Sequence, residues 1–277
     1  MRNNQRRTGH RPNVQPSSPA PNVPMAFAVP TEFVELPSRG VFYPEGHPLH
    51  NQKTVEIKFM TAKDEDILSS ESLLNNNQAI DRLLESLLVE DIDSGTLLIG
   101  DRSALLVAAR ISGYGAEYIV NHFCSRCVTK QEVNFDLNDT TLQDDCFDEQ
   151  MLQENNIVYN SETQTFDLTL PTTGVEIGLS LVDGYAEKET LEGNSEERKQ
   201  SLVTSTLAAF LTKVNGNTDM DYVSSFIDAM PAKDSKFLRD LYPKLVPNVR
   251  FLHEFTCTAC DSKEDIEVPL TAAFFWP

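Results

Sequence analysis

Two cysteine pairs constrain this chain more than any other feature. Cys124 and Cys127 form one Cys-x-x-Cys pair, and Cys257 and Cys260 form another 130 positions downstream. A two-residue gap lets one tight turn direct both thiolates at a single ion. Two pairs supply four sulfurs, each about 2.3 Å from a tetrahedral cation, and leave no position for water. A filled shell builds structure, whereas catalysis needs a vacancy. Four thiolates suit one Zn²⁺ per chain, with iron as the competing metal because sulfur ligands do not exclude it. The spacer is long for a compact ribbon, so convergence of the pairs rests on a repeated context. Strand, Cys-x-x-Cys, polar turn and strand occur at 118–137 and again at 249–270. Free thiols, redox pairs and a disulfide are the other readings. Redox chemistry fits poorly, because neither pair opens the helix of a βαβ unit.

Cysteine usage agrees with a chain kept in a reducing compartment. The start is basic, but Pro, Ser and Asn follow where the apolar core of a signal peptide would lie. No apolar run approaches the roughly 20 residues that span a bilayer. Against 42 acidic residues stand 23 Lys and Arg, a formal charge of −19 over 277 residues. That balance opposes a broad nucleic-acid or anionic-membrane surface. Near the first cysteine pair the basic residues are Arg126 and Lys130; near the second, Lys263 is answered by Asp261, Glu264 and Asp265. A zinc-ribbon nucleic-acid module is therefore the weaker alternative, with salt-sensitive DNA binding as its discriminating observation.

Residues 1–28 stand apart, with four Arg, no acid and a Pro-rich middle. They carry too little apolar surface to offset ordering entropy, which predicts a disordered basic arm or one that orders on an acidic neighbour. Beyond it, Leu36-Pro37-Ser38-Arg39-Gly40 and Tyr43-Pro44 read as an extended segment packed through Leu36, Phe42 and Tyr43. Alternation at 54–60 predicts a strand, and Thr61 with Asp64 a capped helix start. Helices follow over 78–89, facing inward through Ile80, Leu83, Leu84, Leu87 and Leu88, and over 104–111. Residues 139–150 read as a loop or weak helix, and 165–181 as a hairpin about Pro171-Thr172-Thr173-Gly174. A charge-rich stretch at 187–199, with Asn194 or Ser195 as cap, precedes a helix burying Leu202, Leu207, Phe210 and Leu211. Thr218 and Asp221 have capping-box spacing before a face of Tyr222, Phe226 and Ile227. A short helix at Phe237–Leu241 ends at Pro243 and Pro247.

The pattern predicts an α+β fold: a discontinuous zinc-ribbon-like β module with an N-terminal α/β segment and a long mixed insertion. Its boundaries are 1–28 (arm), 29–115 (strand and helices), 116–138 and 249–277 (the two halves of the ribbon), and 139–248 (hairpin and helices). Cys146 sits among Asp144, Asp145 and Asp148, which disfavour a thiolate, so it reads as a non-ligand thiol. His122 and His253 precede the pairs and read as strand residues, with substitution as a ligand or a hydrogen bond to one as the alternatives. His47 and His50 read as exposed imidazoles of a Pro-rich turn. No metalloprotease, Walker, dinucleotide or nucleophile-elbow motif occurs, so the sequence gives no reason to expect an enzyme.

From about residue 31 to the end, the chain resembles the baseplate hub and assembly proteins of T4-like contractile-tailed bacteriophages. The resemblance is carried by Leu36–Gly40 with Tyr43-Pro44, the two cysteine pairs, Ile266–Leu270, and Phe274-Phe275. It implies a virion component assembled in the host cytoplasm, with hub and wedge subunits or further copies of itself as partners and no membrane. An assembly chaperone that leaves the particle is the second role associated with this class. The four cysteines carry over as structural-metal ligands.

Overall fold

The computed structural model describes residues 28–75, 78–192, 202–250, 252–267 and 272–275. The basic arm up to Phe27, the caps expected at Asn194 and Ser195, Phe251, Val268 to Leu270 and Trp276 lie outside them.

Strands β1 (Thr31–Glu35) and β2 (Thr54–Lys58) pair antiparallel; Val34 is buried in the first, and Val55 and Ile57 in the second as the alternation predicts. The connection between them is packed, not a free ledge: Leu36, Phe42, Tyr43 and Leu49 are buried. Its fold-back passes through Gly40, at φ +71°, where a Cβ would lie 2.4 Å from the Leu49 carbonyl oxygen and the Gln52 nitrogen. Gly40→Ala is therefore expected to cost about 2–3 kcal/mol through left-handed strain and local displacement. Urea unfolding would measure it, and a change below experimental error would refute the reading. His47 and His50 are half-buried rather than exposed. Nδ1 of His47 accepts from the Leu49 N–H (3.1 Å), so Nε2 carries the proton toward Thr96 Oγ1 (2.9 Å).

Helix α1 (Ala62–Ser69) begins where Asp64 Oδ2 accepts from Thr61 N and Oγ1, at 2.8 and 2.7 Å. The brief α2 (Glu71–Asn75) precedes α3 (Ala79–Leu87), which buries Leu83, Leu84 and Leu87. Helix α4 (Ile99–Tyr114) starts a full turn earlier than apolar spacing predicts, because Asp101 and Arg102 are buried in that turn. Nη1 and Nη2 of Arg102 donate to the Ser94 carbonyl and Asp81, at 2.7 and 2.6 Å, tying α4 to α3. The Pro247 carbonyl lies over Gly100 so closely that any Cβ there would overlap it, which seats the strand after residue 247 on α4.

Strand β3 (Glu117–Phe123) pairs with β4 (Lys130–Asp136) as a hairpin. After β5 (Thr141–Gln143) and a single 3-10 turn, Asp148 caps α5 (Glu149–Glu154), accepting from Gln150 and Met151 N–H groups. The expected 165–181 hairpin is the centre of a four-stranded antiparallel sheet, ordered β6 (Val158–Asn160), β7 (Thr165–Thr169), β8 (Glu176–Ser180), β9 (Leu211–Val214). Its turn is fixed by Asp234, whose two oxygens accept from Thr172 and Thr173 N–H groups at 2.9 and 3.0 Å.

Several boundaries differ from expectation. Helix α6 (Gly184–Glu192) is followed by α7 (Leu202–Ala208), which stops before Phe210; Leu211 is a strand residue and Leu202 is exposed. Completing the sheet beside β8 outweighs the helical periodicity of that stretch. Helix α8 (Met220–Ala229) is capped by Asp219, not Thr218, because Asp219 Oδ1 reaches the Tyr222 N–H at 3.0 Å. Tyr222 faces solvent, and Val223 takes the buried position. Helix α9 (Ala232–Leu245) continues past Pro243. In the last turn of the helix, where carbonyls have no intrahelical partner, the side-chain amide of Gln143 donates to the Pro243 carbonyl. Strand β10 (Asn248–Arg250) pairs with β5, and β11 (Leu252–Thr256) with β12 (Lys263–Glu267). A final 3-10 turn (Ala272–Phe275) buries Phe274 and Phe275 within this chain.

The whole is a mixed α+β fold of small antiparallel sheets, two to four strands each, around one buried apolar cluster that runs from Val34 to Phe275. No helix among the described residues is long and apolar enough to cross a membrane.

Candidate metal centre

The roots of the two cysteine hairpins are gathered by one buried cation. Arg110, near the end of α4, donates to the carbonyls of Gly115 (2.8 Å), Glu117 (3.3 Å) and Phe274 (3.3 Å). No carboxylate partners it among the described residues; carbonyl oxygens satisfy the guanidinium, and burial depresses its pKa. The start of β3 and the end of the chain are thereby held together, and Tyr118 meets Phe274 edge-on at 5.1 Å. Strands β5 and β10 add a second tie between the segments flanking the insertion.

At the far ends of the hairpins all four cysteines converge. Their Sγ atoms lie within 4.8 Å of one another. The short contacts run between hairpins: Cys124 to Cys260 at 3.7 Å and Cys127 to Cys257 at 3.5 Å. A tetrahedral ion with sulfurs at about 2.3 Å requires sulfur–sulfur edges of about 3.8 Å, whereas a disulfide requires about 2.0 Å. The spacing is that of a chelating cluster, and all five cysteines are free thiols. Cys124 and Cys257 are buried, Cys260 is half-buried and Cys127 is exposed.

The two knuckles are copies of one another, position for position. Cys124 N donates to the Thr129 carbonyl (3.1 Å) and Val128 N to the Cys124 carbonyl (2.9 Å); Cys257 with Ser262 and Asp261 with Cys257 repeat both bonds at 2.9 Å. Val128 and Asp261, each following its second cysteine, are both left-handed at φ 59° and 53°. Phe123 pairs with Lys130 as Thr256 pairs with Lys263. The copies face each other about a local pseudo-twofold axis, which passes between the equivalent rings of His122 and Phe255, 4.9 Å apart.

That symmetry yields two bridging side chains. Gln131 Oε1 accepts from Thr258 N and Oγ1, both at 3.0 Å, while its Nε2 donates to Cys257 Sγ at 3.0 Å. Its counterpart Glu264 accepts from Ser125 N at 3.2 Å and faces His122 Nε2 at 2.9 Å. Hydrogen bonds from Ser125, and then His122, hold the Glu264 carboxyl below its ordinary range. Each residue stands four positions after the second cysteine of its own pair and braces the opposite turn. Apolar periodicity cannot reveal them; aligning the two knuckles does, since Cys-Ser-x-Cys-x-Thr-Lys-Gln at 124–131 matches Cys-Thr-x-Cys-x-Ser-Lys-Glu at 257–264.

The cluster's electrostatics ask for a cation. Hydrogen bonding to Thr129 draws the Cys127 thiol down to about 6. At Cys257, burial is outweighed by the backbone N–H groups of Ala259 and Cys260 and by Gln131, so that thiol is also lowered. At Cys260 the pull of the Ser262 backbone is overcome by burial and by the other sulfurs, which push it up to about 12. Four adjacent sulfurs cannot all ionise against one another, and a dication removes the conflict. Cys146 is remote from this chemistry: burial, then Asp144, pushes its thiol up to about 12. It is buried in the core, apart from the cluster. His253 lies in β11.

No curated protein and no solved structure matches this chain. A family model described as "T4 bacteriophage base plate protein" matches residues 43–276, which include both cysteine pairs, both bridging residues and the Arg110 junction. The chain belongs to the T4 bacteriophage base plate protein family, and it is a non-enzymatic structural protein of the phage tail baseplate.

Proposed function

We propose that this protein helps build the baseplate hub, and that its four cysteines hold one structural Zn²⁺ per chain. The observation that carries the metal reading is the pair of inter-hairpin sulfur contacts, 3.5 and 3.7 Å, close to the edge of a zinc–thiolate tetrahedron. On this reading residues 116–138 and 249–277 are the halves of one ribbon-like module. Segment 29–115 lies before it, insertion 139–248 is closed by it, and the arm 1–28 is free for a neighbour. The ion turns two chain segments far apart in sequence into one rigid projection, which suits contacts with hub and wedge subunits. Retention in the virion is the favoured role over that of a departing chaperone, because the family the chain belongs to is described as a base plate protein.

Native mass spectrometry of the recombinant protein, with and without chelator, tests this reading. One zinc per chain is expected; absence of metal, or stoichiometric iron with the visible absorption of an iron–sulfur chromophore, overturns the zinc assignment.

A second expectation concerns the bridges. Gln131→Ala removes a donor to Cys257 and an acceptor for the Thr258 turn, and should weaken zinc binding about 10–100-fold while leaving the fold intact. Competition with a chromophoric chelator measures it. Gln131→Glu, which imitates the opposite half, should keep the Thr258 bonds and lose only the donor to sulfur. Equal affinity in all three proteins would mean that the bridges do not support the site.

A further inference from the structure

In each knuckle the second cysteine can be reached from solvent and the first cannot. Cys127 is exposed and Cys260 half-buried, whereas Cys124 and Cys257 are closed off. The short sulfur contacts join unlike members across the hairpins, Cys127 to Cys257 at 3.5 Å and Cys260 to Cys124 at 3.7 Å. Each contact therefore sets one sulfur that an outside reagent reaches against one that is shielded. An accessible sulfur beside a resolving one is the arrangement that peroxide converts to a disulfide. It differs from the redox chemistry of a single Cys-x-x-Cys pair, because the two sulfurs belong to different hairpins.

Hydrogen bonds maintain this cross-hairpin alignment without an ion. Gln131 bonds both the Thr258 turn and the Cys257 sulfur, and Glu264 bonds Ser125 and His122. Arg110 and the β5–β10 pairing hold the hairpin roots. From contacts of 3.5 and 3.7 Å, the sulfurs need to close by only about 1.5 Å to reach disulfide length. Side-chain rotation supplies a movement of that size.

We propose that, when the metal is lost under oxidising conditions, Cys127 with Cys257 and Cys124 with Cys260 form disulfides across the hairpins and keep the module closed. The step balances with hydrogen peroxide as oxidant. The Cys127 sulfur takes one peroxide oxygen, becoming a sulfenic acid and releasing water. The Cys257 sulfur then attacks it: the S–S bond forms, the S–O bond breaks, and the oxygen leaves as a second water with the Cys257 proton. Two thiols lose two electrons, and one peroxide is reduced to two waters. Cys260 and Cys124 repeat the step with a second peroxide. The Cys127–Cys257 link spans 130 positions and joins the same two hairpins that the metal would hold. A tail baseplate belongs to the virion, and a particle outside the cell has no thiol pool to reverse the links.

The proposal rests on the same cysteine cluster as the zinc reading, but not on which ion fills it, so metal content is determined first on the isolated protein. The full chain, stripped of metal and reductant, is then treated with about two equivalents of hydrogen peroxide, one per disulfide, and digested without reduction. Cleavage after Arg126 parts Cys124 from Cys127, and fragmentation between Cys257 and Cys260 assigns their partners. Links joining Cys127 to Cys257 and Cys124 to Cys260 within one chain are expected, with Cys146 left as a thiol. Oxidation in urea gives the reference, because an unfolded chain favours the shortest loops, those within each Cys-x-x-Cys pair. The cross-hairpin products should exceed that reference more than tenfold. Cys127→Ala should lose its own link and keep that of Cys124 with Cys260. The linked, metal-free chain should exchange the amides of 117–136 and 252–267 more than tenfold more slowly than its reduced form. Links within each pair, links between chains, a product distribution equal to that in urea, or unchanged amide exchange overturns the proposal. An isolated protein without metal would overturn the zinc reading alone, since the cross-links are measured on the metal-free chain.

Discussion

Cys257→Ser is expected to strip the metal from the chain and lower the thermal unfolding midpoint by roughly 10 °C or more. Cys257 is fully buried, touches Cys127 at 3.5 Å and receives Gln131 Nε2. A serine there offers a hard, neutral oxygen in place of a thiolate and breaks the tetrahedron. Structural zinc contributes about 10–16 kcal/mol of apparent binding energy in small peptides; in a chain with a separate core only part of this enters global stability. The missing part is local, because Arg110 and the β5–β10 pairing hold the hairpin roots without any ion. Amide exchange should therefore accelerate most in 117–136 and 252–267, and least in the four-stranded sheet. The matched control is Cys146→Ala, since a serine at that buried site would add an unsatisfied hydroxyl. The control should keep its metal. If both variants bind metal and unfold alike, the four cysteines are not the ligands.

What could be read in the sequence follows from which signals are periodic. The cysteine pairs, the β2 alternation, the α3 face and the 165–181 hairpin each repeat with the period of their element, and each occurs where predicted. The missing information is of three kinds. Arg102, Arg110 and Asp234 are buried polar residues whose partners lie far along the chain, so no local window identifies them as interior. Leu211 and Tyr222 fit a helical face by spacing, yet the first is drawn into the sheet edge and the second is exposed. The bridging Gln131 and Glu264 form a third case. Their signal was present as a repeat between two distant octapeptides, and only the convergence of the cysteines gives that repeat a meaning.

The same buried-polar blindness hides the residue that organises the N-terminal segment. Asp101 lies before the helix that apolar spacing places at 104–111, yet it is fully buried and accepts three hydrogen bonds: from Ser38 N (2.9 Å), Ser38 Oγ (2.6 Å) and Tyr43 Oη (2.7 Å). Tyr43 Oη in turn accepts from Leu98 N at 3.1 Å, at the N-terminus of α4. The serine and tyrosine of Leu36–Gly40 and Tyr43-Pro44 thus fold onto one carboxyl. Asp101→Ala should cost about 3–5 kcal/mol, because it orphans a buried N–H and two hydroxyls as well as leaving a void. The pH dependence separates this network from simple packing. Burial raises the Asp101 pKa against the lowering effect of Ser38 and Tyr43. A carboxyl whose folded pKa is raised binds its proton more tightly when folded, so its contribution is fully present below the ordinary carboxylate range and declines as pH rises through the raised value. Asp101→Asn cannot ionise. The stability advantage of wild type over Asp101→Asn, from urea unfolding of the metal-loaded proteins, should therefore shrink as pH rises above the ordinary carboxylate range. An advantage that grows with pH would show that the hydrogen bonds to the ionised carboxylate outweigh its burial, and the sign assigned to this network would be wrong.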